Sequence, residues 1–415
     1  MAFDVTFRHD RSSRFGKNHQ GATFFSVGGM YDIYRTHFKD LKWMSTFRFK
    51  ANYGTQGNSS IPLYASEAMT GIINYTNELA FGVTSIGNED LTWESQGMLS
   101  VGIDYGMWED RLSVGLSYYN RKTANMLMDV PLPYATGYSS RWMNVGAMTN
   151  QGIDLDINYK FLDVKDWEAF FSTTFNYNAE RVDKLFSEET NKNGYRIGDL
   201  SHYDVGKPIV FYQARFAGIN PVNGKQMWYK KDGTKTEEYS EELRQRIEYA
   251  KVTPPISGGF SFGVTWRKQL SLTADFSYMV GAYTMSNDRY FLENNVSGMK
   301  MYNRSKKLLN EWTPEDPYNK EVPKFGESFN FDDRLLENTS FLRLKNLQLS
   351  YMLPNSLFKN TKVIHGVRVY FSARNLFTVT HKSFTGFDPE VSSGGFSMSK
   401  FPSTRQFVGG LQLQF

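Results

Sequence analysis

Long segments in which apolar and polar residues alternate one by one place the strongest constraint on the fold of this chain. One such segment reads Ile153, Asp154, Leu155, Asp156, Ile157, Asn158, Tyr159, Lys160 and Phe161. Because successive side chains of a β-strand point to opposite faces, this pattern predicts a strand with one apolar and one polar face. A slip of one residue would move two Asp and one Lys onto the apolar face, so the register is strongly fixed.

About twelve segments of this kind occur, and most are long for strands. Their approximate spans are 3–9, 21–31, 43–53, 96–107, 110–121, 150–161, 166–178, 258–267, 269–281, 341–353, 363–376 and 404–415. A tilted strand needs roughly 9–11 residues to cross a bilayer, whereas the strands of soluble proteins are most often about five or six residues long. The segment length therefore favours strands that cross a membrane.

The connections between successive segments alternate between long and short. Short ones include Trp108-Glu109, 162–165 and Lys268, and long ones run roughly over 54–95, 122–149, 179–257, 282–340 and 377–403. Short periplasmic turns alternating with long extracellular loops are typical of outer-membrane barrels. The sequence therefore predicts an all-β fold, an antiparallel up-and-down transmembrane β-barrel. Its last strand would run from the extracellular side toward the periplasm. It would carry the C-terminal barrel signal at Leu411, Leu413 and Phe415.

The composition favours membrane strands over membrane helices. Aromatic residues make up 16% of the chain, yet the mean hydropathy is −0.49. The sequence contains no run of about 18 consecutive apolar residues, which a membrane helix requires. Aromatic residues near segment ends, such as Trp43, Trp108 and Trp266, would form interfacial girdles. A soluble all-β protein with large insertions remains the alternative, because alternation alone is compatible with both.

Residue content and missing motifs disfavour several classes of function. The chain has no cysteine, which excludes disulfides and thiolate chemistry. The net charge of +4 comes without a dense basic stripe, so nothing supports nucleic-acid binding. The motifs GxGxxG, HExxH and GxSxG and the P-loop do not occur, and the His residues lack metal-ligand spacing. We therefore predict neither an enzyme nor a metal or cofactor site.

The long loops provide three further expectations. The carboxylate pairs Asp332-Asp333 and Glu315-Asp316 are expected to be solvated charge. The segment 239–251 has helical propensity and predicts a short surface helix. The aromatic-rich segment 131–142 carries the candidate substrate- or partner-contacting residues Tyr134, Tyr138, Arg141 and Trp142, because exposed rings suit stacking on sugars or packing against a partner protein. The alternative is that these rings pack against other loops or the lumen wall.

The polar strand positions predict a water-facing lumen. They carry both signs of charge, at Asp104, Asp154, Asp156, Asn158, Lys160, Asp275, Arg368 and Arg374. Such a mixture suits a polar solute of no particular charge.

Short motifs follow one another along nearly the whole chain. They include RSSRFG (11–16), ANYGTQGN (51–58), GNEDLTWE (87–94), NVG (144–146) with QGID (151–154), AGINP (217–221), FLRLKN (341–346), ARNLF (373–377) and GFDPE (386–390). Together and in this order they resemble the SusC/RagA family of TonB-dependent outer-membrane transporters of the Bacteroidetes.

The resemblance implies that residues 1–415 are the C-terminal part of a roughly 22-stranded receptor barrel, with the signal peptide and plug domain absent from this chain. Such a sheet would have two unpaired edges if isolated, which lipid does not tolerate. The resemblance also implies import of glycans or oligopeptides. The expected partners are outer-membrane lipid, a SusD-like surface lipoprotein, and TonB acting through the missing N-terminal part. A plug-less porin or surface-binding barrel is the alternative.

Overall fold

The computed structural model describes residues 1–76, 78–197, 201–294, 296, 303–358, 363–390, 395–398 and 401–415. Its strands, in chain order, are β1 (Ala2–Arg11), β2 (Gly21–Asp32), β3 (Met44–Asn58), β4 (Met69–Tyr75), β5 (Glu78–Ser85), β6 (Glu94–Met107), β7 (Leu112–Ala124), β8 (Leu127–Pro131), β9 (Ser140–Asn144), β10 (Ala147–Val164), β11 (Trp167–Lys184), β12 (Tyr195–Ile197), β13 (Ser201–Tyr203), β14 (Val210–Ile219), β15 (Gln226–Tyr229), β16 (Lys235–Thr236), β17 (Arg244–Lys251), β18 (Ile256–Trp266), β19 (Leu270–Val280), β20 (Tyr283–Ser286), β21 (Leu336–Asn338), β22 (Phe341–Met352), β23 (Gly366–Arg374), β24 (Thr378–Thr380), β25 (Phe396–Ser397) and β26 (Gln406–Gln414). The α-helices are α1 (Glu188–Asn193) and α2 (Asn287–Glu293). Within these residues, no helix is long and apolar enough to cross a membrane.

The long strands form one antiparallel sheet in the order β1-β2-β3-β6-β7-β10-β11-β18-β19-β22-β23-β26, and the short β24 pairs with β22. Each long strand is therefore followed in the sheet by the next long strand of the chain. This up-and-down order, and the twelve strands it contains, confirm the prediction from alternation. Among the described residues, no pairing joins β1 to β26, so the sheet is open.

The chain divides into two compact units. Unit 1 contains Met1–Tyr159, Asn176–Tyr195 and Tyr203–Pro208, and unit 2 contains Lys160–Phe175, Arg196–His202 and Ile209–Phe415. In unit 1 a small core forms where the loops fold back on the strand ends, with Phe15, Phe24, Ile61, Leu91 and Trp93 buried together.

The apolar residues of neighbouring strands in unit 1 lie side by side. Val5 is opposite Val27, and Val101, Tyr118 and Ile153 form one row across β6, β7 and β10. Tyr118 and Ile153 are exposed. Because soluble proteins rarely expose apolar surface in continuous rows, this face is suited to lipid.

Unit 2 repeats this arrangement on its own strands. Leu272, Leu349 and Phe371 form one row across β19, β22 and β23, and all three are exposed. Phe260 of β18 stacks on Phe276 of β19, with ring centroids 4.6 Å apart. Cross-strand aromatic and aliphatic pairs of this kind stabilise a sheet and fix its register.

Unit 2 also contains folded loops with a core of their own. The residues buried together in this core are Phe211, Ile247, Ala250, Met285, Phe329 and Leu335.

The prediction of a helix over 239–251 is wrong: residues Glu241–Leu243 form one 3-10 turn and Arg244–Lys251 form strand β17. Pairing with β14 and burial of Ile247 and Ala250 override the local helical propensity.

Candidate functional site: a polar strand face and folded loops

The strand face opposite the apolar rows carries a network of amide groups in unit 1. The Asn176 amide donates to Asp154 at 2.6 Å, the Tyr119 hydroxyl donates to Asn178 at 2.9 Å, and the Asn178 amide donates to Asn150 at 3.4 Å. Asn side chains supply both donors and acceptors. The network therefore presents a surface that can recognise polar groups of either kind.

Charged residues of both signs extend this face. Lys50 forms an ion pair with Asp104 at 2.7 Å, and Arg48 approaches Asp32 at 3.6 Å. Exposed pairs of this type contribute only about 0–1 kcal/mol to stability. Their larger effect is to place positive and negative charge on a water-facing surface, as predicted for Asp104.

A second polar relay crosses four strands of unit 2. The Ser261 hydroxyl donates to Asp275 at 2.7 Å, the Asn346 amide donates to Asp275 at 3.0 Å, and the Ser372 hydroxyl donates to Asn346 at 2.9 Å. These residues lie on β18, β19, β22 and β23. Polar side chains thus bond to one another across the strands, on the face opposite the apolar rows.

The four loop candidates lie on one hairpin, formed by β8 and β9, but they have different surroundings. Tyr134 is fully exposed at the tip, in a 3-10 turn that ends at Gly137 with φ +76°. Arg141 donates to the Gly87 carbonyl at 2.6 Å and to the Asn88 side chain at 3.0 Å. Trp142 packs on the core of unit 1. Arg141 and Trp142 hold the hairpin in place, whereas Tyr134, and to a lesser degree Tyr138, face outward.

Asn144 fixes the base of this hairpin, a role that the sequence did not reveal. Its amide donates to the Thr92 carbonyl at 2.7 Å, and its side-chain oxygen accepts from the Thr92 N–H at 2.7 Å. The Asn88 amide donates to the Trp142 carbonyl at 2.8 Å. The motifs GNEDLTWE and NVG therefore contact each other through hydrogen bonds. Each motif contains one asparagine that makes these bonds, and these two asparagines were the sequence signal that could have indicated the contact.

In unit 2 a buried charge cluster organises the loops. Asp332 is 0% exposed, pairs with Arg334 at 2.6 Å and accepts from the Trp228 indole at 2.8 Å. The Arg334 guanidinium lies 3.6 Å from the Phe216 ring centroid and 4.3 Å from that of Phe329. The expectation that Asp332 is solvated is wrong, because folding of the loop places it against these partners.

Asp333 differs from its neighbour. It accepts a hydrogen bond from the Phe216 N–H at 2.9 Å. Burial, together with the nearby Asp332 carboxylate, raises the pKa of Asp333 to about 6, although Arg215, Arg334 and the hydrogen bond oppose that rise. This loop therefore carries a carboxyl group that titrates close to neutral pH.

A second buried pair fixes the loop that follows β24. Arg343 and Asp388 are each 3% exposed and form an ion pair, and Arg343 also contacts Glu390 at 2.5 Å. Burial alone would raise the pKa of Asp388, but the Arg343 hydrogen bond and the N–H groups of Glu390 and Ser403 lower it to about 2. The motifs FLRLKN and GFDPE thus meet in one ion-pair cluster.

The C-terminal strand places its apolar residues on one face. Leu411 lies opposite Val369 and Leu413 opposite Val367, while Phe415 follows the last residue of β26. All three residues are exposed. Their role as a barrel signal stays a prediction.

No cluster of three or more His, Cys, Asp or Glu within the described part of the chain could hold a metal ion.

Membrane-length antiparallel strands with one apolar and one polar face define a wall of a transmembrane β-barrel. The similarity of the chain to known proteins agrees with this class. A family model described as TonB dependent receptor-like, beta-barrel matches residues 2–376. The chain belongs to this family, whose members are outer-membrane β-barrel proteins. Outer-membrane localisation and the resemblance to SusC and RagA are therefore confirmed.

Two curated relatives and one solved structure give the scale of the similarity. The TonB-dependent receptor P3 of Formosa agariphila is 27% identical, with 100% of this chain and 44% of the relative covered. The TonB-dependent receptor SusC of Bacteroides thetaiotaomicron is also 27% identical, with 100% and 42% covered. A structure of the RagAB peptide importer is 45% identical at a TM-score of 0.90, with 100% of this chain and 46% of that chain covered. The chain thus spans about half the length of these proteins, which are receptors and transporters rather than enzymes.

Proposed function

We propose that the protein containing this chain imports oligopeptides across the outer membrane, and that residues 1–415 form part of its barrel wall together with extracellular loops. The observation that carries this proposal is the 45% identity and TM-score of 0.90 to a peptide importer, over the whole chain. Identity to SusC is lower, at 27%.

The polar strand face supports a peptide as the cargo. A peptide presents backbone N–H and C=O groups at every residue and side chains of either charge. The amides of Asn176 and Asn178 can pair with both backbone groups, and the Lys50–Asp104 pair offers both signs of charge. A surface of this kind binds polar solutes weakly and without strong sequence preference, which suits transport.

We also propose two partners for the whole protein. A SusD-like surface lipoprotein would contact the extracellular loops, among which the β8–β9 hairpin presents the fully exposed Tyr134. TonB would supply energy through a part of the protein outside this chain. Exposed aromatic rings also stack on sugars, so Tyr134 supports glycans as the alternative cargo.

Uptake by living cells tests the proposal. A strain in which the gene is deleted should lose accumulation of a labelled oligopeptide mixture and keep accumulation of oligosaccharides. Asn178→Leu, on the polar face, should lower peptide uptake several-fold in the complemented strain, because it removes both an acceptor and a donor. Gln151→Leu, at an exposed position of β10 on the other face, serves as the matched control.

Three results would contradict parts of this proposal. Loss of oligosaccharide uptake alone would favour the glycan alternative. Peptide uptake that persists after deletion of TonB would favour a passive porin. Equal uptake by Asn178→Leu and wild-type cells would exclude the polar strand face from the transport path.

A further inference from the structure

On the outward face of unit 1 the apolar residues stop at a definite level on each strand. The last apolar residue and the first polar residue beyond it are Phe7 and His9 on β1, Phe25 and Thr23 on β2, Tyr53 and Thr55 on β3, Tyr118 and Asn120 on β7, and Ile153 and Gln151 on β10. On β6, Leu99 is the last apolar residue and lies opposite Asn120. The boundary therefore runs obliquely to the strands, as expected for tilted strands at the edge of a bilayer. On β3, β6, β7 and β10 these ends lead into the long loops 59–93 and 125–146, so this is the outer-leaflet boundary.

A groove of about 620 Å³ crosses this boundary. Its floor is formed by Tyr53, Leu99 and Tyr118, and its polar end by Thr55, Ser95, Asn120 and Lys122. The groove is open because Gly97 lies between Thr55 and Lys122 in the same cross-strand row and has no side chain. A Cβ at Gly97 would lie 3.0 Å from the Tyr53 hydroxyl oxygen.

The polar end of the groove carries one charge, and it is positive. Among the residues lining the groove, Lys122 alone is charged, and it forms no ion pair within the described part of the chain. Asp183, which accepts from the neighbouring Thr149, is already paired with Arg181 at 2.8 Å. Glu94 points to the opposite face, where it accepts from Asn58 at 3.2 Å.

We propose that this groove binds an anionic, phosphate-bearing lipid of the outer leaflet. The phosphate would lie on the Lys122 ammonium and the Asn120 amide, and one acyl chain would pass over Leu99 between Tyr53 and Tyr118. An unpaired cation just beyond an apolar floor offers the lipid a charge-assisted hydrogen bond at its head and contact along its chain. The site rests on placement in the membrane and is independent of the cargo.

Native mass spectrometry of the whole membrane protein tests this assignment. The protein is reconstituted in phosphatidylcholine nanodiscs containing a minor fraction of phosphatidic acid, and retained lipid is counted after partial delipidation. Wild-type protein should retain phosphatidic acid preferentially. Lys122→Gln should lower that retention at least about tenfold, the lower end of the usual effect of losing one hydrogen bond to a charged group. Lys122→Arg should keep it.

Two further variants separate the groove from general effects of charge and folding. Lys192→Gln removes an exposed loop lysine in α1 and should leave retention unchanged. Gly97→Val fills the groove and should reduce retention of both lipids, with heat-modifiability on gels confirming a folded barrel. Equal retention by Lys122→Gln and wild-type protein would overturn the proposal. So would displacement of the lipid by inorganic phosphate at the same concentration, because the acyl chain would then contribute nothing.

Discussion

Replacement of Asp333 by Asn gives a direct test of the buried charges in the unit 2 loops. Asp333 accepts a backbone hydrogen bond from Phe216, and an Asn oxygen can accept the same bond. The substitution therefore keeps this bond and replaces the ionisable carboxyl group with a neutral amide. This carboxyl group interacts with the ionisable groups of Asp332, Arg334, Arg215 and Tyr249.

The size of the effect follows from the pKa of Asp333, which burial raises from 3.8 to about 6. One pKa unit corresponds to about 1.4 kcal/mol, so the upper limit of the effect is about 3 kcal/mol. Because the pKa of Asp333 is raised in the folded state, its contribution to the stability of the loops is fully present below pH 3.8. That contribution is lost as the pH rises through about 6. Near pH 7.5 the Asp333→Asn loops should therefore be more stable than wild-type loops.

Hydrogen exchange of the β14 and β17 amides, corrected for intrinsic rates, measures this local stability. Wild-type protection should fall between pH 5 and pH 7.5, whereas Asp333→Asn protection should stay constant and exceed wild type at pH 7.5. Glu242→Gln, which removes an exposed carboxylate in the same loops, should behave as wild type. Wild-type protection that rises with pH, or a less protected Asp333→Asn variant at pH 7.5, would refute the reasoning.

Two further substitutions test the contacts that hold the loops. Arg343→Met leaves Asp388 buried without its cation, which costs about 3–5 kcal/mol, so protease cleavage within 381–390 should accelerate at least a hundredfold. Arg405 is exposed and lines one cavity together with Arg343 and Asp388, so Arg405→Met is the matched control. Equal cleavage of both variants would contradict the assignment. Asn144→Ala removes both hydrogen bonds to Thr92. Because each bond contributes about 1 kcal/mol, hydrogen exchange of the β8–β9 amides should rise by about one to two orders of magnitude. Unchanged exchange would show that core packing alone holds the hairpin.

Strand alternation predicted the sheet because one physical constraint acts on every long strand. Leu272, Leu349 and Phe371 must all face the same solvent, so each strand carries the pattern independently of its neighbours. The loops obey no such repeat. Residues 244–251 have helical propensity locally, yet they form β17 because β14 offers an open edge and a core to fill. That information lies in residues distant along the chain, which periodicity cannot detect.

The candidate site was predictable to different degrees for the same reason. The polar strand residues Asp104, Asp154 and Asp275 follow directly from alternation, and all three form polar contacts. The environment of the loop residues depended on partners distant in sequence. Asp332 looked solvated because its partner Trp228 lies 104 residues away. Arg141 looked available for a ligand, although it donates to the Gly87 carbonyl.

The outward strand face and the folded loops have different roles in such a protein. The outward strand face can specify little beyond lipid, because exposed apolar rows must match the bilayer along their whole length. The loops instead contain buried ion pairs, Asp332–Arg334 and Arg343–Asp388. Buried pairs add little net stability compared with apolar packing, but an unpaired partner is costly. They therefore penalise every loop conformation that separates the partners, which fixes one shape for loops that would otherwise adopt many.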